Sequence, residues 1–278
     1  MSPISTVILK KGKDEVLRRF HPWIFSGAIH KIIGSPVEGD LVNVLSDNQE
    51  WLAVGHFGSG SIAVRIISFD EVEINQDFWK GKIENALEVR KKCNLFQNSH
   101  TNAFRLVFGE GDELPGLIID IYDKTAVIQC HSMGMYNAVN EIATALDSVS
   151  DLTLDCIYNK SSDTIGKQTG LKIADTFIKG SLTSQQIMEN GHLFEVNWVE
   201  GQKTGFFLYQ RDNRLLLSRY AKDKTILNAY CYSGGFSIYA LKAGAKEVHS
   251  VDASEKAIRL TEKNLILNNL SFSKDEVV

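Results

Sequence analysis

One stretch near the carboxyl end of the chain constrains its local topology more than any other. Thr225 to Ala229 has the apolar, β-branched character of a strand, and Phe236 to Ala243 has the length and composition of a helix that ends at Gly244. A second strand is predicted at Glu247 to Val251, and Asp252 follows it directly. Strand, helix and strand in this order predict the start of a doubly wound α/β sheet with parallel strands.

The loop between the first strand and the helix indicates what this sheet could bind. A dinucleotide site needs G-x-G-x-x-G, because the backbone must approach a pyrophosphate at the helix N-terminus. Residues 232–237 instead contain two adjacent glycines followed by the bulky Phe236. Asp252 lies 17 residues after Gly235, close to the ~20 expected for an acid that binds ribose hydroxyls. The pattern favours S-adenosyl-L-methionine, an adenosine ligand without phosphates, over a nicotinamide cofactor.

Two simpler interpretations of this loop remain open. Adjacent glycines after a strand are common turn chemistry, and an aspartate before a helix can be an N-cap. Ser254 is the better-placed N-cap of the helix predicted to run to about Asn268. This favours a ligand-binding role for Asp252.

The rest of the chain contains two further segments of different character. Its 278 residues predict two or three domains, since domains have ~100 to 200 residues each. Up to about Phe69, short β-rich runs alternate with turn residues, and residues 70–75 are predicted to be a linker. Helical spacing begins at Asp77, and mixed helices and strands then indicate an α+β unit. We predict domains at residues 1–70, 75–199 and 200–278.

The elements expected in the first two segments can be given by their bounds. Strands are predicted at Thr6 to Leu9, Leu41 to Leu45, Trp51 to Phe57 and Ile62 to Ile67. The α+β unit is predicted to contain helices at Asp77 to Leu95 and Tyr136 to Leu146, and strands at Leu117 to Tyr122, Thr125 to His131, Leu154 to Asn159 and Leu193 to Val199.

Basic residues are concentrated in two islands. The net charge of −4 gives no general case for nucleic-acid binding. Residues 1–35, however, carry six Lys or Arg against two acids, and so do residues 201–224, which gives each segment a net charge of +4. Such islands are typical of a phosphate-binding surface or of a solvated face, and charge alone does not separate the two.

The cysteines and the apolar runs exclude several classes of protein. Cys93, Cys130, Cys156 and Cys231 form no C-x-x-C pair and have no histidine at zinc-ligand spacing, so we expect reduced thiols and no metal site. No segment approaches the ~18 apolar residues of a membrane span, and the N-terminus has no cleavage pattern. We therefore expect a cytoplasmic protein.

Four motifs together resemble those of a known enzyme family. They are HPWIFSG at residues 21–27, EGDELPGLIID at 110–120, GQKTGFFLYQRDNR at 201–214 and LNAYCYSGGF at 227–236. The chain is similar, over essentially its whole length and in the same order, to the PUA-domain-containing class I methyltransferases that act on large-subunit ribosomal RNA. The best-known members form 5-methylcytosine.

The resemblance implies a domain plan, a cofactor and a partner. It implies a small β-rich PUA-like RNA-binding domain, a central α+β domain and the start of a Rossmann-like methyltransferase sheet. S-adenosyl-L-methionine is the implied cofactor, and ribosomal RNA of the large subunit is the implied partner. Members often carry Asp at the position of Tyr209, so the chain departs from the family there. The implied cofactor-binding residues are Gln210, Tyr232, Ser233, Gly234, Gly235, Phe236 and Asp252.

Basic residues in both islands are predicted to contact RNA. Near Trp23 in the sequence, cations suited to phosphate contact accompany an aromatic suited to base stacking. Trp23 itself is explained more simply as a core residue. Arg211 and Arg214 are predicted to face RNA phosphate, with an ion pair to Asp212 or Asp223 as the alternative. The predicted RNA-binding residues of the first island are Lys11, Arg18, Arg19 and His21.

No catalytic residue is assigned from the sequence. Methylation at C5 of a pyrimidine usually needs a cysteine thiolate that attacks C6. Cys231 lies inside the predicted cofactor loop and would point at the cofactor or the sheet. In the family the nucleophile and an acidic Pro-Pro loop follow later strands, and neither occurs before Val278. We therefore expect the chain to be the N-terminal two-thirds of such an enzyme, without its catalytic segment.

A function of another class is also compatible with the sequence. The PUA-like and central domains could serve a non-catalytic RNA-binding protein, and this alternative stays open. A nicotinamide oxidoreductase is disfavoured by the missing G-x-G-x-x-G. The modified nucleotide and the oligomeric state have no signal in the sequence.

Overall fold

The structure is a computed structural model that describes residues 5–182, 185–273 and 277–278. The predicted domains also included residues 1–4, 183–184 and 274–276, which lie outside the described residues. The chain divides into two compact units. One comprises Met1–Arg90, Leu106–Ile119 and Ala126–Ser181, and the other comprises Lys91–Arg105, Asp120–Thr125 and Leu182–Val278.

The N-terminal segment forms a six-stranded sheet with the order β2-β6-β5-β4-β1-β3. Strands β1 and β4 are parallel, and the other pairs are antiparallel. Alternation decides which side chains enter the core: in β4, Val42 and Val44 are fully buried, whereas Asn43 between them is half-buried. The strands are β1 (Ser5–Leu9), β2 (Trp23–Phe25), β3 (Ile29–Ile33), β4 (Leu41–Leu45), β5 (Trp51–Phe57) and β6 (Ile62–Ser68).

Four of these six strands were predicted to within one residue at each end, and two were missed. The missed strands, β2 and β3, are the two edge strands of the sheet. An edge strand is partly exposed on both faces, so its sequence shows little alternation. In β3, His30 and Lys31 stand side by side and both are exposed.

A second sheet has five strands in the order β11-β10-β9-β8-β7. All six residues of β9 are buried, as expected for a strand covered on both faces. Asp123, at the predicted turn between β8 and β9, has the left-handed φ of 55° that aspartate tolerates. The strands are β7 (Ala103–Phe108), β8 (Leu117–Tyr122), β9 (Thr125–Cys130), β10 (Cys156–Asn159) and β11 (Thr176–Lys179). Strands β7 and β11 were not predicted.

Four helices belong to the same part of the chain. They are α1 (Gln76–Lys92), α2 (Met133–Asn137), α3 (Val139–Asp147) and α4 (Ser162–Thr169). In α1, Trp79, Ile83, Ala86 and Leu87 are buried, which is the single apolar face that their spacing predicts. The helix predicted at Tyr136 to Leu146 is instead two helices that meet at Ala138, where the backbone leaves the helical region.

The C-terminal segment contains the predicted strand, helix and strand. Strands β14 (Thr225–Ala229) and β15 (Glu247–Val251) pair in parallel along their whole length. Helix α6 (Gly235–Lys242) connects them, and α7 (Glu255–Leu267) follows β15. The Ser254 side chain accepts a hydrogen bond from the Ala257 N–H, so the predicted N-cap is confirmed. The other elements are the antiparallel strands β12 (Gln186–Glu189) and β13 (His192–Glu195), and helix α5 (Arg211–Ala221).

No helix within the described part of the chain is both long and apolar enough to cross a membrane. The four cysteines are free thiols, of which Cys93 is exposed and the other three are buried. The same described residues contain no group of three or more His, Cys, Asp or Glu side chains placed to hold a metal ion.

Candidate functional site

A cleft of about 760 Å³ opens at the carboxyl ends of β14 and β15. This is the edge at which open α/β sheets bind their ligands. Tyr230 and Tyr232 line it from the loop after β14, and Asp252 lines it from the end of β15. The end of β13, the connection from β13 to α5, and α7 with its N-cap supply the other lining residues: Glu195, Asn197, Glu200, Gly201, Gln202, Phe207, Ser254, Lys256, Ala257, Arg259, Leu260 and Lys263.

Asp252 is held in place by backbone donors from both sides of the cleft. The Tyr232 N–H donates to one carboxylate oxygen at 3.0 Å, and the Ser254 N–H donates to the other at 2.9 Å. A carboxylate has about four lone-pair positions, so each oxygen can accept a further hydrogen bond. The side chain is half-buried and faces the cleft. Asp252 therefore has the acceptors that binding of two ribose hydroxyls would need, and this predicted role stays a prediction.

The charged residues at the rim of the cleft largely neutralise one another. Lys256 lies 3.2 Å from Glu200, and Lys263 lies 2.9 Å from Glu195. These pairs are exposed and worth little to stability. The cleft thus offers one fixed carboxylate, aromatic walls and no concentration of positive charge for a pyrophosphate. These features fit an adenosine ligand that carries no phosphate.

Tyr232 ties the loop after β14 to the segment at residues 201–207. Its hydroxyl donates to the Gly205 carbonyl at 3.0 Å and accepts from the Gln202 N–H at 3.2 Å. Its ring lies 4.9 Å from the Phe207 ring, and burial raises the pKa of the phenol. Gly201 has no room for a side chain, because a Cβ would lie 2.1 Å from the Asn197 carbonyl oxygen. Close approach of two loops therefore forms one wall of the cleft.

A buried polar network holds the same segment from its other side. The carboxylate of Asp120 is fully buried and accepts two hydrogen bonds from Arg105, at 2.8 and 2.9 Å. The Thr204 hydroxyl donates to Asp120 at 2.6 Å and lies 2.9 Å from the Tyr122 hydroxyl. Burial, and then the charge of Asp120, raises the pKa of Tyr122. Thr204 connects this network to the segment at residues 201–207, which forms the wall of the cleft.

The adjacent glycines after β14 are required by packing. Gly234 has a φ of 72°, and a Cβ there would lie 2.6 Å from the Thr261 Cγ2 atom. A Cβ on Gly235 would lie 3.0 Å from the Arg214 Cδ atom. The glycine pair therefore lets the start of α6 approach α7 and the Arg214 side chain.

The structure places the predicted cofactor-binding residues in two groups. Tyr232 and Asp252 line the cleft, whereas Gln210, Ser233 and Phe236 are not among its described lining residues. Gln210 accepts a hydrogen bond from Asn213 at 2.7 Å. Gly234 and Gly235 likewise lie outside the lining and serve the packing described above. The roles of all seven residues toward a cofactor stay predictions.

The prediction that Arg214 faces RNA is wrong. Its side chain is 3% exposed and donates two hydrogen bonds of 2.8 Å to the fully buried carboxylate of Glu189. Its guanidinium also lies over the Phe206 ring, 4.6 Å from the centroid. The alternative prediction, an ion pair, is correct, but the partner is Glu189 and not Asp212 or Asp223. A buried cation needs a buried anion, and Glu189 comes from β12, which the sequence analysis did not predict.

The other predicted RNA-binding residues differ in how many contacts they make within the chain. Arg211 is half-buried and makes a long contact of 3.5 Å with the Ala103 carbonyl. Arg18 pairs with Asp14 at 2.7 Å and with Glu50 at 2.5 Å, and these bonds raise its pKa. Lys11 and Arg19 are exposed.

His21 and Trp23 form a small aromatic cluster in the first sheet. The Trp23 N–H donates to His21 Nδ1 at 3.2 Å, and the two rings lie 5.9 Å apart. Trp23 is half-buried, and its indole N–H donates to Glu110 at 2.9 Å. The simpler prediction, that Trp23 is a core residue, is therefore met only in part.

Cys231 has the properties of a packing residue. It is 6% exposed, and burial raises the pKa of its thiol above the ordinary value. Its sulfur lies 3.5 Å from the Thr261 hydroxyl. A buried thiol with a raised pKa is a poor nucleophile at neutral pH. The structure therefore supports leaving Cys231 out of the catalytic residues.

Several residues of the cleft were missed by the sequence analysis. Gln202 and Phe207 lie within the GQKTGFFLYQRDNR motif. The motif therefore pointed to the right segment, but it did not show which of its side chains line the cleft. Glu195, Asn197 and Lys263 carry no motif at all. They meet at the cleft because α7 packs beside β13. The Asn264 side-chain oxygen accepts a hydrogen bond from the Glu195 N–H at 2.7 Å.

Comparison with known sequences matches this architecture. Residues 7–69 match the PUA-like domain family, and residues 172–276 match the family of S-adenosylmethionine-dependent methyltransferases. The chain is 39% identical over 282 residues to ribosomal RNA large subunit methyltransferase I of Pseudoalteromonas translucida. The alignment covers 99% of this chain and 69% of that relative. The chain belongs to the ribosomal RNA large subunit methyltransferase I family.

Other members of the family give the same result. The chain is 39% identical to the Aeromonas salmonicida member, over 98% of this chain and 69% of that relative. Among solved structures, a Streptococcus mutans protein described as a SAM-dependent methyltransferase superposes with a TM-score of 0.82 at 23% identity, over 98% of this chain and 69% of its own. A methyltransferase solved in complex with SAH gives the same TM-score and identity. These two structures confirm the fold.

Family membership confirms several predictions. The fold class is confirmed, with a β-rich PUA-like part followed by mixed α/β structure. The chain is a member of an S-adenosylmethionine-dependent rRNA methyltransferase family, so the predicted enzyme class and cofactor are confirmed. The methyltransferase match begins at residue 172, before the predicted boundary at residue 200. The predicted domain boundaries stay predictions.

Proposed function

We propose that this chain binds S-adenosyl-L-methionine as part of an enzyme that methylates ribosomal RNA of the large subunit, and that the product is 5-methylcytosine. The observation that carries the proposal is the cleft at Tyr232 and Asp252, in a chain 39% identical to an enzyme named for large-subunit ribosomal RNA. The proposed domains are a PUA-like RNA-binding domain at residues 1–70, a central domain at 75–199 and a methyltransferase domain at 200–278.

The side chains of the cleft have distinct proposed roles. Asp252 accepts the ribose hydroxyls, because its oxygens keep free lone pairs and the Tyr232 and Ser254 N–H groups fix its orientation. Tyr232 and Phe207 form an apolar wall that excludes water from the bound nucleoside. Gln210, Ser233, Gly234, Gly235 and Phe236 remain proposed cofactor-binding residues.

The chemistry proposed is substitution at the methyl carbon. When bound, the cofactor supplies an electrophilic methyl group, and the pyrimidine C5 must be made nucleophilic to accept it and must then lose its proton. Cys231 does not fit the role of activating nucleophile, because it is buried and its thiol pKa is raised. No other residue of this chain is proposed as the nucleophile.

RNA contact is proposed for the PUA-like domain and the start of α5. Lys11 and Arg19 are the best placed, since both side chains are exposed. Arg18, His21 and Arg211 are proposed as weaker contacts, because each already has partners within the chain. These cations would bind phosphate without reading sequence.

The test is transfer of a tritium-labelled methyl group from S-adenosyl-L-methionine to unmodified large-subunit ribosomal RNA, followed by separation of the labelled nucleosides. Label in 5-methylcytosine supports the proposal, and label in another nucleoside contradicts the assigned product. Calorimetry on the same protein measures cofactor binding. A chain that binds RNA but does not bind S-adenosyl-L-methionine would favour the alternative, a non-catalytic RNA-binding protein.

A further inference from the structure

The PUA-like domain contains an aromatic cleft that none of the roles above explains. It has a volume of about 330 Å³ and is lined by Leu17, Arg18, Phe20, Trp51, Leu52 and Phe69. Three of these six side chains are aromatic. Phe20 is 73% exposed, so its ring contributes little to the core of the sheet.

Phe20 is also held in an unfavourable backbone conformation. It follows the short 3-10 turn Leu17–Arg19 with φ 61° and ψ 29°, in the left-handed region. A bulky residue is rarely found there, whereas Gly or Asn adopts this conformation readily. The Phe20 N–H donates to the Leu17 carbonyl at 2.7 Å, and the ring meets Phe69 edge to face at 5.3 Å. An exposed aromatic residue in this conformation is compatible with a binding role.

The segment that contributes Leu17, Arg18 and Phe20 to the cleft is rich in cations. Residues 10–20 carry five Lys or Arg against two acids. Arg18 is paired with Asp14 and Glu50. Among the described residues, Lys11, Lys13 and Arg19 are exposed and form no ion pair. Aromatic rings and cations on one segment are a combination suited to binding an unpaired nucleotide.

We propose that this cleft binds one unpaired base of single-stranded RNA, stacked on Phe20, with the flanking phosphates on Arg19 and Lys11. The aromatic walls of Trp51 and Phe69 would cover the rest of the base. Arg18 is held by its carboxylates at the cleft wall, where its planar guanidinium can stack on a base. The inference rests on the proposed function, because it takes RNA as the molecule that the PUA-like domain binds.

The test is the affinity of the whole chain for a single-stranded RNA of about ten nucleotides, measured by fluorescence anisotropy across a range of salt concentrations. Phe20→Ala should weaken binding by about 5- to 150-fold, the range for loss of one stacked base. The dependence of affinity on salt should not change, because the ring carries no charge. Arg19→Gln and Lys11→Gln should each reduce the salt slope by ~0.7.

Three variants separate stacking from other effects of the substitution. Phe20→Asn keeps a residue that tolerates the left-handed conformation and removes the ring, so it should bind as weakly as Phe20→Ala. Phe20→Trp should retain affinity. Phe25→Ala is the matched control, since Phe25, in β2, is 50% exposed but does not line the cleft. Thermal melting shows that each variant is folded.

The possible failures are distinguishable. Wild-type affinity in Phe20→Ala overturns this inference and leaves another occupant, such as a protein segment, for the cleft. An equal loss in Phe25→Ala also overturns it, because the effect would then not belong to the cleft. If the unchanged chain binds no RNA, the proposed function fails as well. If it methylates RNA and Phe20→Ala binds normally, only the stacking site is wrong.

Discussion

Replacement of Arg214 tests whether this side chain supports the fold or binds RNA. Arg214→Met keeps the unbranched stem and removes the guanidinium. The carboxylate of Glu189 then loses both hydrogen bonds of 2.8 Å and keeps only the Tyr239 hydroxyl, which donates at 3.0 Å. All three side chains are at most 3% exposed, so water cannot take the place of the lost donors.

The expected cost follows from leaving a buried charge unpaired. Breaking a buried ion pair by removing one partner destabilises a protein by about 3 to 5 kcal/mol. Replacing both partners with apolar residues is often neutral, so Arg214→Met combined with Glu189→Leu should recover most of the loss. In the double variant, the Tyr239 hydroxyl would still donate a hydrogen bond to the backbone carbonyl of residue 189, which lies 3.3 Å away.

The assay is urea unfolding, with RNA affinity measured on the same preparations. Arg211→Met is the matched control, because its one described contact is a long bond to a backbone carbonyl, and it should cost less than about 1 kcal/mol. An Arg214→Met protein that unfolds at the wild-type urea concentration, but binds RNA with a salt slope lower by ~0.7, would refute the buried-pair argument.

Three further predictions concern the cleft and the first unit. Asp252→Asn should lower the affinity for S-adenosyl-L-methionine at least about tenfold, since charge-assisted bonds are worth about 1.5 to 3 kcal/mol each; calorimetry measures it, and the exposed Glu255→Gln serves as the control. Thr204→Val should lower the free energy of unfolding by about 1 to 3 kcal/mol, because the buried carboxylate of Asp120 loses a donor. The exposed Thr225→Val is the control. If the two variants bind the cofactor equally well, the wall of the cleft does not depend on the Thr204 bond. Burial, and then the charge of Arg65, lowers the pKa of His56 to about 4. The unfolded chain therefore binds more protons between about pH 4 and 6.5, so stability should fall by up to about 3 kcal/mol as the pH drops through this range. His56→Gln should remove that slope in urea unfolding at a series of pH values.

Local patterns predicted much of the second half of the chain. The bounds of β14 and β15 match the prediction, and Ser254 caps α7 as expected. These features depend on residues only a few positions apart, through side-chain alternation, helix capping and turn chemistry. The position of Asp252 at the cleft could be predicted for the same reason, because this residue directly follows a strand whose end is visible in the sequence.

Only tertiary structure decided which partner each buried polar group has. Arg214 has acids nearby in sequence, yet it pairs with Glu189, 25 residues away. Thr204 reaches Asp120, which is 84 residues away. A buried charge is bound by whichever opposite charge the packed elements place beside it, and sequence distance has no influence on that choice. Tertiary packing also explains the glycine pair after β14. The atoms that leave no room for a Cβ there belong to Thr261 and Arg214, which lie on two other helices.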